Sequence, residues 1–167
     1  MLSYIKDLSE HMAWADSKIW TEVMKISKHS NIKDIFDLLF HLHSVQHAYL
    51  CIWTNQQLDQ FENIKFDNLD DLSNWRLDFH KKNERFISGM DEEKLTQPVN
   101  IPWTKYLEKK IGKKPDTSNL IQTILQVIMH STYHRAQINT KIREVRGEPP
   151  MTDYIFWVWI GKPKLNQ

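Results

Sequence analysis

Residues 120–145 read LIQTILQVIMHSTYHRAQINTKIREV. Apolar side chains recur at Leu120, Ile124, Val127, Ile138, Ile142 and Val145, with no proline inside the run. Steps of three and four are the signature of a helix with one buried stripe. The helix is expected to open after Pro115, with Asp116 or Thr117 as N-cap, and to run about eight turns to Gly147. Pro149 and Pro150 forbid its continuation. Thr152 then offers a cap for a last short apolar segment, Tyr154 to Trp159.

Working outward, the same period appears three more times. Residues 3–26 carry Ile5, Leu8, Met12, Ala15, Ile19, Val23 and Ile26 on one stripe. After a polar break, Asn31 is placed to cap a second helix, which runs to about Gln56 on Ile35, Leu38, Leu42, Val45, Tyr49, Ile52 and Trp53. A third starts near Asn68, buries Leu69, Leu72, Trp75, Phe79 and Phe86, and stops at Gly89, the expected C′ residue. Between residues 95 and 115 the pattern is lost. Three prolines, Gly112 and a local group of lysines mark a long surface excursion of about 20 residues, a length typical of lids and binding loops. Four long helices with one apolar seam each must pack against one another. The expected architecture is an all-α four-helix bundle in a single domain, residues 1–167, with that excursion between helices three and four and a short C-terminal helix.

Composition bounds the function. The chain has 167 residues, 41% of them hydrophobic, enough for a core. Its 22 Lys+Arg against 21 Asp+Glu leave no basic excess for phosphate neutralisation, which argues against a nucleic-acid partner. Lys105, Lys109, Lys110, Lys113 and Lys114 form one local patch rather than a basic face. Cys51 is the only cysteine, which excludes an intramolecular disulfide and cysteine-rich zinc modules. Beside the stripe of helix two, it reads as a small buried apolar group. The absence of a signal-peptide pattern and of a long uncharged run predicts a cytoplasmic protein without a membrane span. Eight histidines and seven tryptophans are the unusual features.

His130 and His134 stand at i and i+4, so both imidazoles can reach one ion from one helix face. Spacing alone is weak evidence, since His43 and His47 repeat it. Register separates the pairs: His130 and His134 fall between Val127 and Ile138, at positions expected to be core. Burying two imidazoles is costly unless each nitrogen finds a partner, and either a shared metal or hydrogen bonds would serve. A metal site needs a third ligand. On helix two, His41 flanks the stripe and can lean inward, whereas His43 and His47 read as surface or boundary groups. His11 and His80 lie off their stripes and His29 lies in a turn, none with an expected role.

The order of these motifs carries a resemblance. His11-Met-Ala-Trp14-Ala-Asp16, Leu39-Phe-His41 with Gln46 and Tyr49, His130-Ser-Thr-Tyr-His134-Arg-Ala-Gln137 and Pro150-Met-Thr-Asp153-Tyr together resemble the DinB/YfiT-like family of metal-dependent four-helix bundles. The similarity extends from about Tyr4 to Trp159. It implies a divalent metal held by His41, His130 and His134, and it makes a transferase using a low-molecular-weight thiol plausible. The family often has an acidic residue five positions after its first histidine and a tryptophan eight positions after; Gln46 and Tyr49 stand there instead.

Three neutral imidazoles leave an ion its full charge and an open position for water or a thiol. Imidazole suits zinc, nickel, copper or iron. Zinc or nickel is expected, because the trio lacks the carboxylate of a non-haem iron site. Each ligand also needs its second nitrogen oriented, for which Asp16, Gln46 and Asp153 are candidates by type. Arg135 and Gln137 point about 100° or more away from the histidine face, a placement suited to bracing the bundle. Trp14, Trp103, Trp157 and Trp159 are expected to pack, with Trp103 alone placed to cover a site from the excursion. The expectation is an enzyme acting on a small molecule. Thiol transfer comes first and metal-assisted hydrolysis is the alternative; a non-catalytic metal-binding or interaction bundle also fits. The late aromatics leave homodimerisation open.

Overall fold

The computed structural model describes residues 1–28, 30–58 and 64–165, so His29 lies outside the described residues. Four long helices dominate: α1 (Leu2–Ile26), α2 (Lys33–Trp53), α3 (Leu69–Ser88) and α6 (Leu120–Glu144). Between α3 and α6 lie the short α4 (Glu92–Leu95), strand β1 (Pro98–Val99), α5 (Thr104–Ile111) and strand β2 (Ser118–Asn119); α7 (Tyr154–Trp159) closes the chain. The protein is an all-α bundle. Among the described residues no helix is long and apolar enough to cross a membrane.

Local chemistry fixes the helix ends. The Asn68 side chain accepts from the Asp71 amide at 2.8 Å and starts α3 as expected. For α2, Asn31 Oδ1 accepts from the Lys33 amide at 3.1 Å, while Ile32 holds the cap position itself. The start of α6 falls later than Asp116 or Thr117. Residues 118–119 pair antiparallel with 98–99, which keeps the chain extended, and Asn119 then forms a capping box with Gln122. That helix ends at Glu144, where Arg146 takes the positive φ of 63° and the Gly147 amide bonds the Ile142 carbonyl at 2.8 Å. Gly147 is required for space: a Cβ there would lie 2.7 Å from Ile142 Cγ2 and 2.9 Å from Ile26 Cγ2. Gly89 ends α3 at φ −82°, an ordinary value rather than a left-handed C′. Asp153, not Thr152, holds the N-cap position of α7, with no side-chain bond.

The interior has two apolar halves. One gathers Ile5 and Met12 of α1, Leu50 of α2, Phe79 and Ile87 of α3, and Ile124 and Val127 of α6. The other gathers Ile19 and Val23, Ile35 and Leu39, Leu72, and Ile138 and Ile142 from the same four helices. The order in which each helix visits the halves sets the topology. α1 and α6 run one way, α2 and α3 the other. The neighbouring pairs are α1 with α3, α3 with α2, α2 with α6, and α6 with α1, so the α1/α3 and α2/α6 seams lie on opposite sides of the bundle.

The excursion is more structured than its composition suggests. Leu95 and Ile101 are buried, and Trp103 packs edge-on against Tyr49 at 5.2 Å, joining the first apolar half. The α5 helix buries nothing. Trp14 and Trp157 are core residues, whereas Trp159 is 75% exposed.

Candidate metal centre

The core face of α2 is turned by about one residue from the expected stripe. Leu39, Leu42, His43, Gln46 and Leu50 point inward, while Leu38 and Val45 are only half-buried. The turn buries His43 and His47, both expected at the surface or boundary, and leaves His41 exposed rather than leaning into the core. On α6 the buried stripe passes through Ser131 and Arg135, so His130 and His134 are half-buried rather than core. All three histidines therefore meet at the α2/α6 seam. One nitrogen from each of His41, His130 and His134 lies within 4.8 Å of the others, a grouping that could hold a metal ion.

Hydrogen bonds define which nitrogens are available. His134 Nδ1 donates to Gln137 Oε1 at 2.7 Å, so its Nε2 presents a lone pair. That Nε2 lies 3.1 Å from His130 Nε2. Two ligand nitrogens on a tetrahedral zinc ion lie about 3.3 Å apart, close to this spacing. His130 Nδ1 is buried without a hydrogen-bond partner, and the nitrogen of that ring with a neighbour in the trio is Nε2. Burial, then the proximity of His134 and His41, push the His130 pKa down to about 4. For His134 burial lowers the pKa, the Gln137 bond raises it in part, and His41 lowers it again, leaving it below its ordinary value. Both rings are thus neutral at pH 7, the form a metal requires. The residues fit a three-histidine ion.

Gln137 is the orienting group that the sequence did not single out; it was expected to point away. A glutamine three residues after a histidine on one helix can reach back to the imidazole, and that spacing was the available signal. The expected orienters do other work. Asp16 and Gln46 contact each other and not the trio, and Asp153 is exposed with no bond to it.

Asp16 centres a polar layer between the two apolar halves. Its Oδ1 accepts from Arg135 Nη1 at 2.8 Å, and its Oδ2 accepts from Gln46 Nε2 at 2.9 Å and His80 Nε2 at 3.1 Å. Gln46 also donates to Ser131 Oγ at 3.1 Å and accepts from His43 Nδ1 at 2.8 Å, while His43 Nε2 accepts from Trp20 at 2.9 Å. Burial alone would raise the Asp16 pKa, but the His80 bond and the Arg135 charge outweigh it and hold the carboxyl well below its usual range. His43, fully buried, is pushed down to about 3, with Asp16 and Gln46 only partly opposing. The layer joins all four long helices. Arg135 and Ser131 link it to α6 beside the trio, so Arg135 braces the bundle as expected.

The remaining described histidines also have partners. His11 and His80, assigned no role, are buried: His11 Nε2 donates to the Thr152 carbonyl at 2.9 Å, and His80 belongs to the polar layer. His47 Nε2 donates to the Trp75 carbonyl at 2.9 Å and stacks on that indole at 4.0 Å. Cys51 is buried, as expected.

A helical bundle with a half-exposed cluster of three imidazoles defines a class, and comparison with known proteins identifies it. The chain matches the DinB family over residues 1–164 and belongs to that family. Protein DinB of Bacillus subtilis (strain 168) is 22% identical over 187 aligned positions, covering 97% of this chain and 98% of its own length. No solved structure matches the chain.

Proposed function

We propose that His41, His130 and His134 bind one divalent metal ion, zinc or nickel, and that the protein is a metal-dependent enzyme transferring a low-molecular-weight thiol to an electrophilic small molecule. The observation that carries this reading is the convergence of three imidazole nitrogens within 4.8 Å on an open helix seam. A bound ion would supply Lewis acidity, acidifying a coordinated water or thiol. Gln137 fixes the His134 tautomer so that Nε2 faces the trio. Exposure of His41, and of Met129 and Tyr133 beside the trio on α6, leaves room for a substrate on the solvent side. Structural zinc sites are closed by four protein ligands, whereas this cluster offers three, which favours an exchangeable position. In the transfer, the thiol S–H bond and the carbon–leaving-group bond break, a sulfur–carbon bond forms, the leaving group departs with its electron pair, and the proton goes to that group or to solvent.

The test is conjugation of a chloronitrobenzene dye to cysteine and to bacterial thiols, with wild type and His134→Ala compared at matched metal content in the medium. Metal-dependent turnover with at least one thiol, abolished in the variant, supports the reading. A metal-loaded protein with no turnover on any thiol overturns thiol transfer, and metal-assisted hydrolysis of an ester or amide is then the enzyme reading to assay.

A further inference from the structure

Helix α5 differs from the four long helices in burying no side chain, yet it is held at its base. Trp103 packs edge-on against Tyr49 at 5.2 Å, and strands β1 and β2 pair before and after the excursion. Gly112, in the left-handed region at φ 74°, ends the helix, and its amide bonds the Glu108 carbonyl at 3.0 Å. Three large apolar side chains stand exposed on it: Tyr106 at 72%, Leu107 at 43% and Ile111 at 51%. At about 100° per residue they share one side of the helix, in an arc of about 140°. Lys110 falls inside that arc and Lys109 next to its edge.

Charge is gathered on the same segment. Lys105, Lys109, Lys110, Lys113 and Lys114 stand against Glu108 and Asp116, a net +3 within residues 103–116. The whole chain carries +1, so the remainder is −2 and the positive excess lies here. All five lysines are exposed. Among the described residues the one ion pair they make is Lys113 with Asp116, loose at 3.8 Å between side chains 70% and 95% exposed. Lys105 Nζ lies 5.1 Å from the centre of the Tyr106 ring. A helix that buries nothing does not brace the core, and an apolar arc left in water is a cost. Apolar groups interleaved with unpaired cations suit a segment lying in a membrane interface, where lysine stems follow the apolar boundary and their ammonium groups reach lipid phosphate. A lone helix presents a convex surface, which a flat lipid face can meet but which offers an extended peptide no groove. Leu107 and Ile111 would gain nothing from a nucleic-acid backbone.

We propose that α5, with Lys113 and Lys114, docks the protein peripherally on an anionic phospholipid surface. Tyr106, Leu107 and Ile111 enter the headgroup boundary, while Lys109, Lys110 and the pair beyond Gly112 meet the phosphates. The contact lies on the membrane and does not span it. Each positive charge held near an anionic surface strengthens binding about five-fold, so a net +3 gives about a hundred-fold preference for anionic over neutral lipid. Three apolar side chains are too few to hold the chain on neutral lipid, which makes the contact reversible and salt-sensitive. It requires neither the histidine trio nor an ion bound there.

The test is flotation of the full chain with vesicles of phosphatidylcholine alone or with about 30% phosphatidylglycerol, in EDTA so that no ion at the trio bridges to phosphate. Expected is binding to the anionic vesicles, about a hundred-fold tighter than to the neutral ones and released by about 0.5 M NaCl. Lys109→Glu with Lys110→Glu should abolish it. Leu107→Ser with Ile111→Ser, which keeps every charge, should weaken it at least about ten-fold. Neither double variant alters a buried residue, and circular dichroism checks that both fold. Trp159→Ser, on the exposed side of α7, should leave binding unchanged. No binding to either vesicle, equal binding to both, or anionic binding that survives either double variant overturns the proposal. Loss of binding in Trp159→Ser overturns it in favour of α7. Poly-L-glutamate bound more tightly than the anionic vesicles overturns it in favour of an acidic polypeptide.

Discussion

Replacing Asp16 with Asn keeps the shape of the side chain and removes its charge, at a position 2% exposed. Three donors converge on that carboxylate from three different helices: Arg135 from α6, Gln46 from α2 and His80 from α3. An asparagine amide nitrogen cannot accept from any of them, so at least one donor faces another donor. Arg135, 2% exposed, is left as an uncompensated buried cation, with Arg76, 6% exposed, nearby in the same interior. Breaking a buried pair from one side costs about 3–5 kcal/mol. For a chain of this size, about 2–4 °C accompanies each kcal/mol, so the melting temperature should fall by about 6–20 °C. Circular dichroism at 222 nm with heat and urea reads both quantities. The exposed Lys33–Asp37 pair is the control: solvent screens it, so Asp37→Asn should leave the melting temperature and urea midpoint essentially unchanged. Removing both charges in Asp16→Asn with Arg135→Met should recover part of the loss, because the orphaned cation is gone. Asp16→Asn within about 1 kcal/mol of wild type, or a double variant as unstable as the two singles combined, would refute the layer as the brace of the bundle.

Other expectations follow from single contacts. Gln137→Leu frees the His134 ring and should weaken zinc or nickel binding about 10–100-fold with helicity unchanged, measured by competition with a chromophoric chelator. Gly147→Ala forces a methyl against Ile142 and Ile26 and should cost about 1–3 kcal/mol in urea unfolding. In the metal-free chain the folded-state pKa of His47 is lowered, mainly by burial, to about 4 from 6.5, and that of His43 to about 3. These groups stabilise the fold fully above pH 6.5 and lose that contribution as pH falls through their folded values, because the unfolded chain binds protons first. Urea midpoints should therefore drop steadily between pH 6.5 and 4; a flat profile there would mean that the two rings are not buried neutral.

The fold was legible because hydropathy marks apolar stripes, and α1 shows how well: Ile5, Met12, Ala15, Ile19, Val23 and Ile26 are all buried as expected. The errors share one cause. Reading a stripe from apolar residues alone skips buried polar ones, and α6 buries Ser131 and Arg135 where the eye steps to His130 and His134. On α2 the same habit selected Leu38 and Val45 over His43 and Gln46, and so turned the helix by a residue. Arg135 is buriable because Asp16 lies 119 positions away in sequence. His80 is likewise buriable because the same Asp16 lies 64 positions away. Such partners cannot be read from local periodicity. The three histidines still converge, because rotation moves His41 outward while α6 presents His130 and His134 half-buried at the same seam. Gln137 was missed for a different reason: a long side chain can curl back along its own helix to Nδ1 of His134, which its position on the helical wheel does not reveal.

The most direct test of the metal centre is elemental analysis and zinc and nickel titration of tag-free protein, beside His41→Ala, His130→Ala and His134→Ala. The account predicts about one ion per wild-type chain and loss of tight binding in each variant, with the fold retained. A wild-type chain that takes up no ion after equilibration with Zn²⁺ and Ni²⁺, or one whose ion persists in all three variants, would contradict it.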